Sequence, residues 1–185
     1  MLARYFMYSQ LYFHPIRRIY NVHLVDFLRA WLPNGKFDTS VDAHLTLTDN
    51  EVTAGIFSSA RDTKHPAHDS ARRIALRDHF RLVYERNPDD VKINPQAGRA
   101  VSEFLSRELG APFIRHEYQS PKGGALDFPV KMHDGRSASS TSASETLSKI
   151  PPPTVDFVYA DRAVAEKARS LIGEKRNEIL SMKEH

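Results

Sequence analysis

Cysteine is absent from the 185 residues. That excludes disulfides, thiolate metal sites and cysteine nucleophiles, and it fits a cytoplasmic protein. Long apolar runs are missing too, since nothing approaches the roughly 18 residues of a membrane span. The opening stretch, MLARYFMYSQLYFHPIRR, lacks the uninterrupted apolar core of a secretory leader. Arg4, Ser9, Gln10 and His14 interrupt it, so it reads as part of the fold. An excess of one charge is also missing. The net charge is +3, with no concentrated basic stripe, so neither nucleic acid nor membrane is expected as a partner. What remains is ordinary for a soluble globular chain: 41% hydrophobic and 26% charged residues, enough for one domain or two small ones.

Residues 1–32 carry a helical pattern. Phe13, Ile16, Tyr20, Leu24, Phe27 and Trp31 recur at helical spacing and predict one buried face. Pro15 lies inside the run and predicts a kink or a helix start. Pro33-Asn34-Gly35 is a stop. After an irregular stretch, Thr48 and Glu51 match a capping box and predict a short helix to about Ala60. A loop through Pro66 leads to another short helix at 70–78. From residue 79 the expected order is strand, helix, strand, hairpin, short helix, strand, helix. The helix opens at Asn94-Pro95 and closes at Gly110. The hairpin turns at His133-Asp134-Gly135, and Asp161 caps the last helix. This order resembles a ferredoxin-like α+β module. The fold class is therefore α+β, with a boundary near residue 78: helices over 1–78, a small α+β module over 79–185.

The string ARYFMYSQLYFHPIRRIYNVHLVDFL is the most informative segment. It supplies Tyr5, Met7, Gln10, Tyr12, His14, Arg17 and Arg18 in an aromatic-rich pattern that ends in a basic pair and an amphipathic helix. This pattern resembles the helix that follows the catalytic core in HD-domain phosphohydrolases of the deoxynucleoside triphosphate triphosphohydrolase type. HFRLVYER and PPPTVDFVYADRAVAEKAR are similar to that family's later strand and terminal strand–helix. Pro15 departs from the pattern, because relatives often carry a basic residue there. The family's metal ligands (a histidine, a His-Asp pair and a distant aspartate) stand upstream of this helix and have no counterpart in these residues. The resemblance thus implies the C-terminal part of a metal-dependent nucleotide phosphohydrolase. The divalent metal would belong to an upstream half, and this chain would hold no cofactor of its own. The resemblance also implies substrate contacts at Gln10, His14 and Arg18, with Arg17 alongside and Tyr12 packing or stacking. No catalytic residue is assigned.

Spacing gives a reading of its own. Gln10, His14, Arg17 and Asn21 fall 4, 3 and 4 apart and would share one polar face of a continuous helix, with Arg18 flanking it. Such a face is either solvated or aimed at phosphate, for which arginine offers a planar donor fork. The dipeptides His68-Asp69 and His133-Asp134 read as a helix cap and a turn, and no metal is assigned to them. Gly123-Gly124 lacks the spacing of a phosphate loop and reads as a turn. The alternating charges of the last helix, Arg169 and Arg176 among them, read as a solvated face. The expected partners are a nucleotide or nucleoside triphosphate, and an HD catalytic subunit or further copies of the chain. In an alternative reading the chain is a non-catalytic nucleotide-binding or assembly module. It would dock on such a subunit through exposed Phe6, Phe13 and Trp31.

Overall fold

The computed structural model describes residues 2–119, 127–149 and 154–182. Gly123-Gly124 lies outside them. The chain enters through a broken helix. α1 (Leu2–Met7) widens into a π turn (Tyr8–Tyr12), and α2 (Pro15–Trp31) starts afresh after Phe13 and His14. Pro15 sets the break. It has no N–H for the preceding turn, suits the first helical position, and pushes the residue before it out of helical conformation. His14 accordingly sits extended at ψ 129°. A tight turn at Pro33–Gly35, with Asn34 at φ 54° and Gly35 at φ 67°, ends α2 as expected.

α3 (Val41–Thr46), capped by Ser40, occupies the stretch that looked irregular. α4 (Asp49–Arg61) carries the expected capping box. Asn50 N–H donates to Thr48 Oγ1 at 3.2 Å, and Thr48 N–H donates to Glu51 Oε2 at 2.9 Å. α5 (His68–Ala75) follows. Then come β1 (Arg81–Glu85), α6 (Pro88–Ile93), α7 (Ala97–Leu109), β2 (Phe113–Gln119) and the hairpin β3 (Pro129–Lys131) and β4 (Ser137–Ser139). Two single-turn helices, α8 (Ser140–Ala143) and α9 (Glu145–Ser148), lead to β5 (Thr154–Ala160) and α10 (Arg162–Ser181). Asp161 caps α10, and Gly110 at φ 57° closes α7.

β5 lies between β1 and β2 and is antiparallel to both. The outer strands therefore run parallel to each other, with α6 and α7 in their crossover. This is a split β-α-β unit, and the fold is α+β. The hairpin turns at Gly135, φ 83°, but forms its own two-stranded sheet rather than extending the main one.

Alternation along β5 sorts the core. Phe157 and Tyr159 pack with Ile19 of α2 and with Phe80, joined by Val22, Leu82, Ile114 and Val155. Val158 and Ala160 face the other way, onto Ala97, Val101 and Phe104 of α7 and Ala165, Ala168 and Ile179 of α10. A bulge in β1 between Leu82 and Tyr84 shifts the register there. Leu82 can then serve one face while Val83 and Tyr84 serve the other. The second half of α2 leaves the sheet and packs Phe27 and Trp31 against Ile56, Ala67 and Ala71 of the α4–α5 region.

The buried stripe of α2 differs from the expected one. Ile19, His23 and Phe27 are buried, while Ile16 is 49% exposed. Pro15 resets the helical phase, so Phe13 belongs to the preceding turn and cannot continue the stripe. α10 differs too. Its charged side is partly structural, because Arg176 Nε donates to Asp90 Oδ1 at 2.8 Å and Arg169 donates to the Leu82 carbonyl at 2.8 Å. Asp90 is 3% exposed and also accepts from the Tyr84 hydroxyl at 3.1 Å.

On the α7 face, Asp156 is gripped by Arg115 through two hydrogen bonds of 2.9 and 2.8 Å. Gly98 of α7 touches this carboxylate so closely that a Cβ would collide with it. Gly98→Ala should lower stability by about 1–3 kcal/mol in urea unfolding, despite the better helix propensity of alanine. Gly173 lies in α10 with open space around it, and Gly173→Ala should raise stability by about 0.5–1 kcal/mol. Equal effects of the two substitutions would contradict this packing.

Candidate functional site

The five residues expected to face substrate lie on both sides of the Pro15 break. Gln10 sits in the π turn and is exposed. Tyr12 ends that turn, 36% exposed, with its ring 5.3 Å from that of Tyr8. His14 is exposed at the N-cap of α2, and its side chain makes no capping bond. Arg17 is exposed and Arg18 half-buried in the first turn of α2. A single helical face through Gln10, His14, Arg17 and Asn21 does not form, because the helix stops between Gln10 and Arg17. The break nonetheless brings other groups together. Arg17 folds back so that its guanidinium lies 4.6 Å from the Tyr12 ring centre. Arg18 lies 5.5 Å from the Phe13 ring, which in turn stacks 4.7 Å from Tyr118 of β2.

Arg18 makes one further contact. Its Nε–H donates to His116 Nε2 at 2.8 Å, joining α2 to β2 across the chain. Burial first, and the Arg18 charge second, hold His116 below the ordinary histidine pKa, while Asp156 opposes the shift. The imidazole is therefore a neutral acceptor. Sequence reading missed His116 because it lies far along the chain. The available signal was strand alternation, which puts Ile114, His116 and Tyr118 on the face that meets α2. Among the described residues neither Arg17 nor Arg18 forms an ion pair. Carboxylates go instead to Arg72, Arg73, Arg115 and Arg176. The first turn of α2 also holds no acidic residue, so the positive end of its dipole adds to the two cations.

A second polar cluster joins α2, α5 and β1. His23 is 2% exposed and takes the Phe80 N–H on Nε2 at 3.3 Å. His79 Nδ1 lies 2.8 Å from the Phe80 carbonyl, and Arg81 Nη1 lies 3.0 Å from His79 Nε2. Arg73 covers the Phe80 ring at 4.2 Å and pairs with Asp161 at 2.9 Å. None of the five expected substrate residues belongs to this cluster.

His65, His68 and Asp134 are engaged by bonds within the protein. His65 Nδ1 accepts the Ala67 N–H at 3.0 Å, and His68 Nδ1 lies 3.2 Å from the Ser59 carbonyl. Asp134 accepts from the Arg136 N–H and Nε at 3.0 and 2.7 Å. Asp69 lies inside the first turn of α5, where Ala67 takes the cap position, so it is not the expected cap. Among the described residues no three His, Asp or Glu side chains converge. A cavity of about 710 Å³ opens at the far end of α2, lined by Trp31, Leu32, Phe37, His44 and Leu47. It contains none of the expected substrate residues. No helix among the described residues is long and apolar enough to cross a membrane.

No family model matches the chain, and no curated protein does. Solved structures do. A hypothetical protein from Aquifex aeolicus superposes with a TM-score of 0.71 at 25% identity, over 91% of this chain and 42% of that one. A phosphohydrolase from Bacteroides thetaiotaomicron superposes with a TM-score of 0.53 at 17% identity, over 87% of this chain and 48% of that one. The chain thus spans less than half the length of either protein. The second likeness shows a shared fold in a protein named a phosphohydrolase.

The buried histidine gives this fold an acid sensitivity. Burial, then the charges of Arg73 and His79, lower the His23 pKa from 6.5 to about 4. Between those values the unfolded chain binds a proton that the folded chain refuses. Stability is therefore retained above pH 6.5 and lost as pH falls toward 4. The loss from this group should reach roughly 3 kcal/mol at most, at about 1.4 kcal/mol per tenfold. His23→Gln can still accept the Phe80 N–H and should flatten the pH dependence of urea midpoints in that window. An unchanged slope would assign the acid sensitivity to other groups.

Proposed function

We propose that these residues form the C-terminal part of an HD-superfamily, metal-dependent nucleotide phosphohydrolase of the deoxynucleoside triphosphate triphosphohydrolase type, working in the cytoplasm. Residues 1–78 would be the last helices of its helical domain, and residues 79–185 its α+β module. The chain would supply phosphate contacts rather than the metal site. One observation carries this reading: Arg17 and Arg18 are consecutive residues in the first turn of α2, each with its guanidinium near an aromatic ring and neither in an ion pair among the described residues. Rings orient the two cations without neutralising them, which leaves their charge for an anion. The phosphohydrolase neighbour supports the assignment at the level of fold.

In this reading Arg17 and Arg18 donate to phosphoryl oxygens. Tyr12 holds Arg17 from below, and His14 and Gln10 reach the sugar or the outer phosphates. The divalent metal would supply Lewis-acid activation of water. It belongs to the half of the fold outside these residues, and no bond-breaking step is assigned to this chain.

A second reading has its own observation. Phe6, Met7, Leu11 and Ile16 are 55%, 41%, 58% and 49% exposed along the opening segment. Such a patch suits docking on an HD catalytic subunit. Its composition differs from the expected one. Phe13 is 6% exposed against Tyr118, and Trp31 stacks on Phe27 at 5.5 Å and lines the cavity at the far end of α2, so Phe6 alone of the three anticipated residues belongs to this exposed stretch.

Calorimetry of the 185-residue chain with inorganic tripolyphosphate separates these readings. Arg17→Ala and Arg18→Ala should each weaken binding by about 1–2 kcal/mol, the worth of a charge-assisted hydrogen bond. Purified chain with Mg²⁺ or Mn²⁺ should release neither tripolyphosphate nor deoxynucleoside from deoxynucleoside triphosphates. Robust metal-dependent turnover, or tripolyphosphate binding indifferent to both arginines, would overturn the proposal. Assembly with an HD subunit that survives both substitutions but is lost in Phe6→Ser/Leu11→Ser would favour the second reading.

A further inference from the structure

We infer that His116 is a positioning residue of the phosphate-facing site, holding the Nε–H of Arg18 from behind so that both Nη groups are left for an anion. The inference rests on the phosphate reading above and adds to it a residue from the other end of the fold.

The geometry is that of a socket. Arg18 Nε meets His116 Nε2 at 2.8 Å. The Phe13 ring lies under the guanidinium at 5.5 Å. That ring is 6% exposed and is fixed by Tyr118 at 4.7 Å. His116 and Tyr118 are alternate residues of β2, a strand paired with β5 along its whole length, with His116 opposite Phe157 and Tyr118 opposite Val155. Tyr159 of β5 adds a tie by donating its hydroxyl proton to the Pro15 carbonyl at 2.9 Å. The start of α2 is thus held on the sheet at two points. Among the described residues no further hydrogen bond engages the Arg18 side chain.

The choice of acceptor matters chemically. A bidentate grip on phosphate uses two parallel N–H donors. The guanidinium has five, so giving Nε–H to a neighbour costs nothing needed for that grip. An Asp or Glu in place of His116 would hold the same donor but cancel the charge. A neutral imidazole holds it and leaves the charge intact. The charged groups around His116 are Arg18 from α2 and Asp156 from β5. Asp156 is already engaged by both arms of Arg115, so it does not compete for Arg18. Freezing a long side chain before ligand arrives removes part of the entropy lost on binding. Acceptance at Nε2 also fixes the tautomer: the His116 proton must sit on Nδ1.

Two measurements on the full chain test this. Long-range ¹H–¹⁵N correlation at neutral pH should show His116 uncharged and protonated at Nδ1. Protonation at Nε2 would overturn the inference whatever the binding data show. Tripolyphosphate affinity should fall about 5–10-fold in His116→Ala and recover in His116→Gln, whose amide oxygen can accept from Arg18. In an Arg18→Ala background, His116→Ala should have no further effect, since it acts through Arg18. If wild type binds and Arg18→Ala weakens it while His116→Ala does not, the phosphate reading stands and this inference fails. An undiminished His116→Ala effect without Arg18 would make His116 a direct ligand and also overturn it. Complete absence of tripolyphosphate binding by wild type would overturn both. Circular dichroism of each variant separates loss of positioning from loss of fold.

Discussion

The packing of α2 on two different surfaces is the constraint from which the rest follows. Its first half lies on the sheet through Ile19 and Val22, and its second half lies among α4 and α5 through Phe27 and Trp31. A helix so placed needs a buried stripe along its whole length, and the centre of that stripe is a histidine. His23 is tolerated because its Nε2 satisfies the Phe80 N–H. An unpaired donor at that depth would cost about 1–3 kcal/mol. The hydrogen bond also locks the lead-in to β1 against α2. The helical part and the α+β part are consequently joined through shared side chains rather than through a linker alone.

The same helix determines what its N-terminus can offer. Pro15 ends the preceding turn, which leaves Tyr12 and Phe13 beside the two arginines instead of one turn beneath them. Exposed cation–π contacts contribute about 0.5–1 kcal/mol each. A hydrogen bond to a neutral acceptor such as His116 is worth a similar amount. These contacts orient the guanidinium groups but do not neutralise them. An ion pair with a buried carboxylate, as Arg115 makes with Asp156 and Arg176 with Asp90, would do the reverse. Arg115 and Arg176 are thus consumed in holding the fold, whereas Arg17 and Arg18 are oriented by rings and an imidazole.

Much of the architecture was legible because local signals set it. The Thr48–Glu51 capping box, the stop at Pro33-Asn34-Gly35, the Asp-Gly hairpin turn, the Gly110 closure and the Asp161 cap all lie where their chemistry placed them. Phase and partnership were not legible. The proline fixed a break, but the sequence left a kink and a restart equally open, and a restart rotates the buried stripe. α3 and α6 are short and carry weak patterns. Arg176 looks like any surface arginine of α10, and nothing local reveals that it reaches a buried aspartate from another helix. Arg17 and Arg18 could be named from the chain's own order, whereas His116 could not, because its contact exists only once β2 is folded beside α2.

The fold is shared with parts of two larger proteins, one named a phosphohydrolase, while the claim about phosphate rests on two side chains. Arginine Nε–H signals of ¹⁵N-labelled chain, followed during titration with a non-hydrolysable deoxynucleoside triphosphate, report on those side chains directly. The account predicts that Arg17 and Arg18 shift together and saturably, while Arg73, Arg115 and Arg176 stay in place. Saturable shifts confined to other arginines, or none at millimolar ligand, would contradict it.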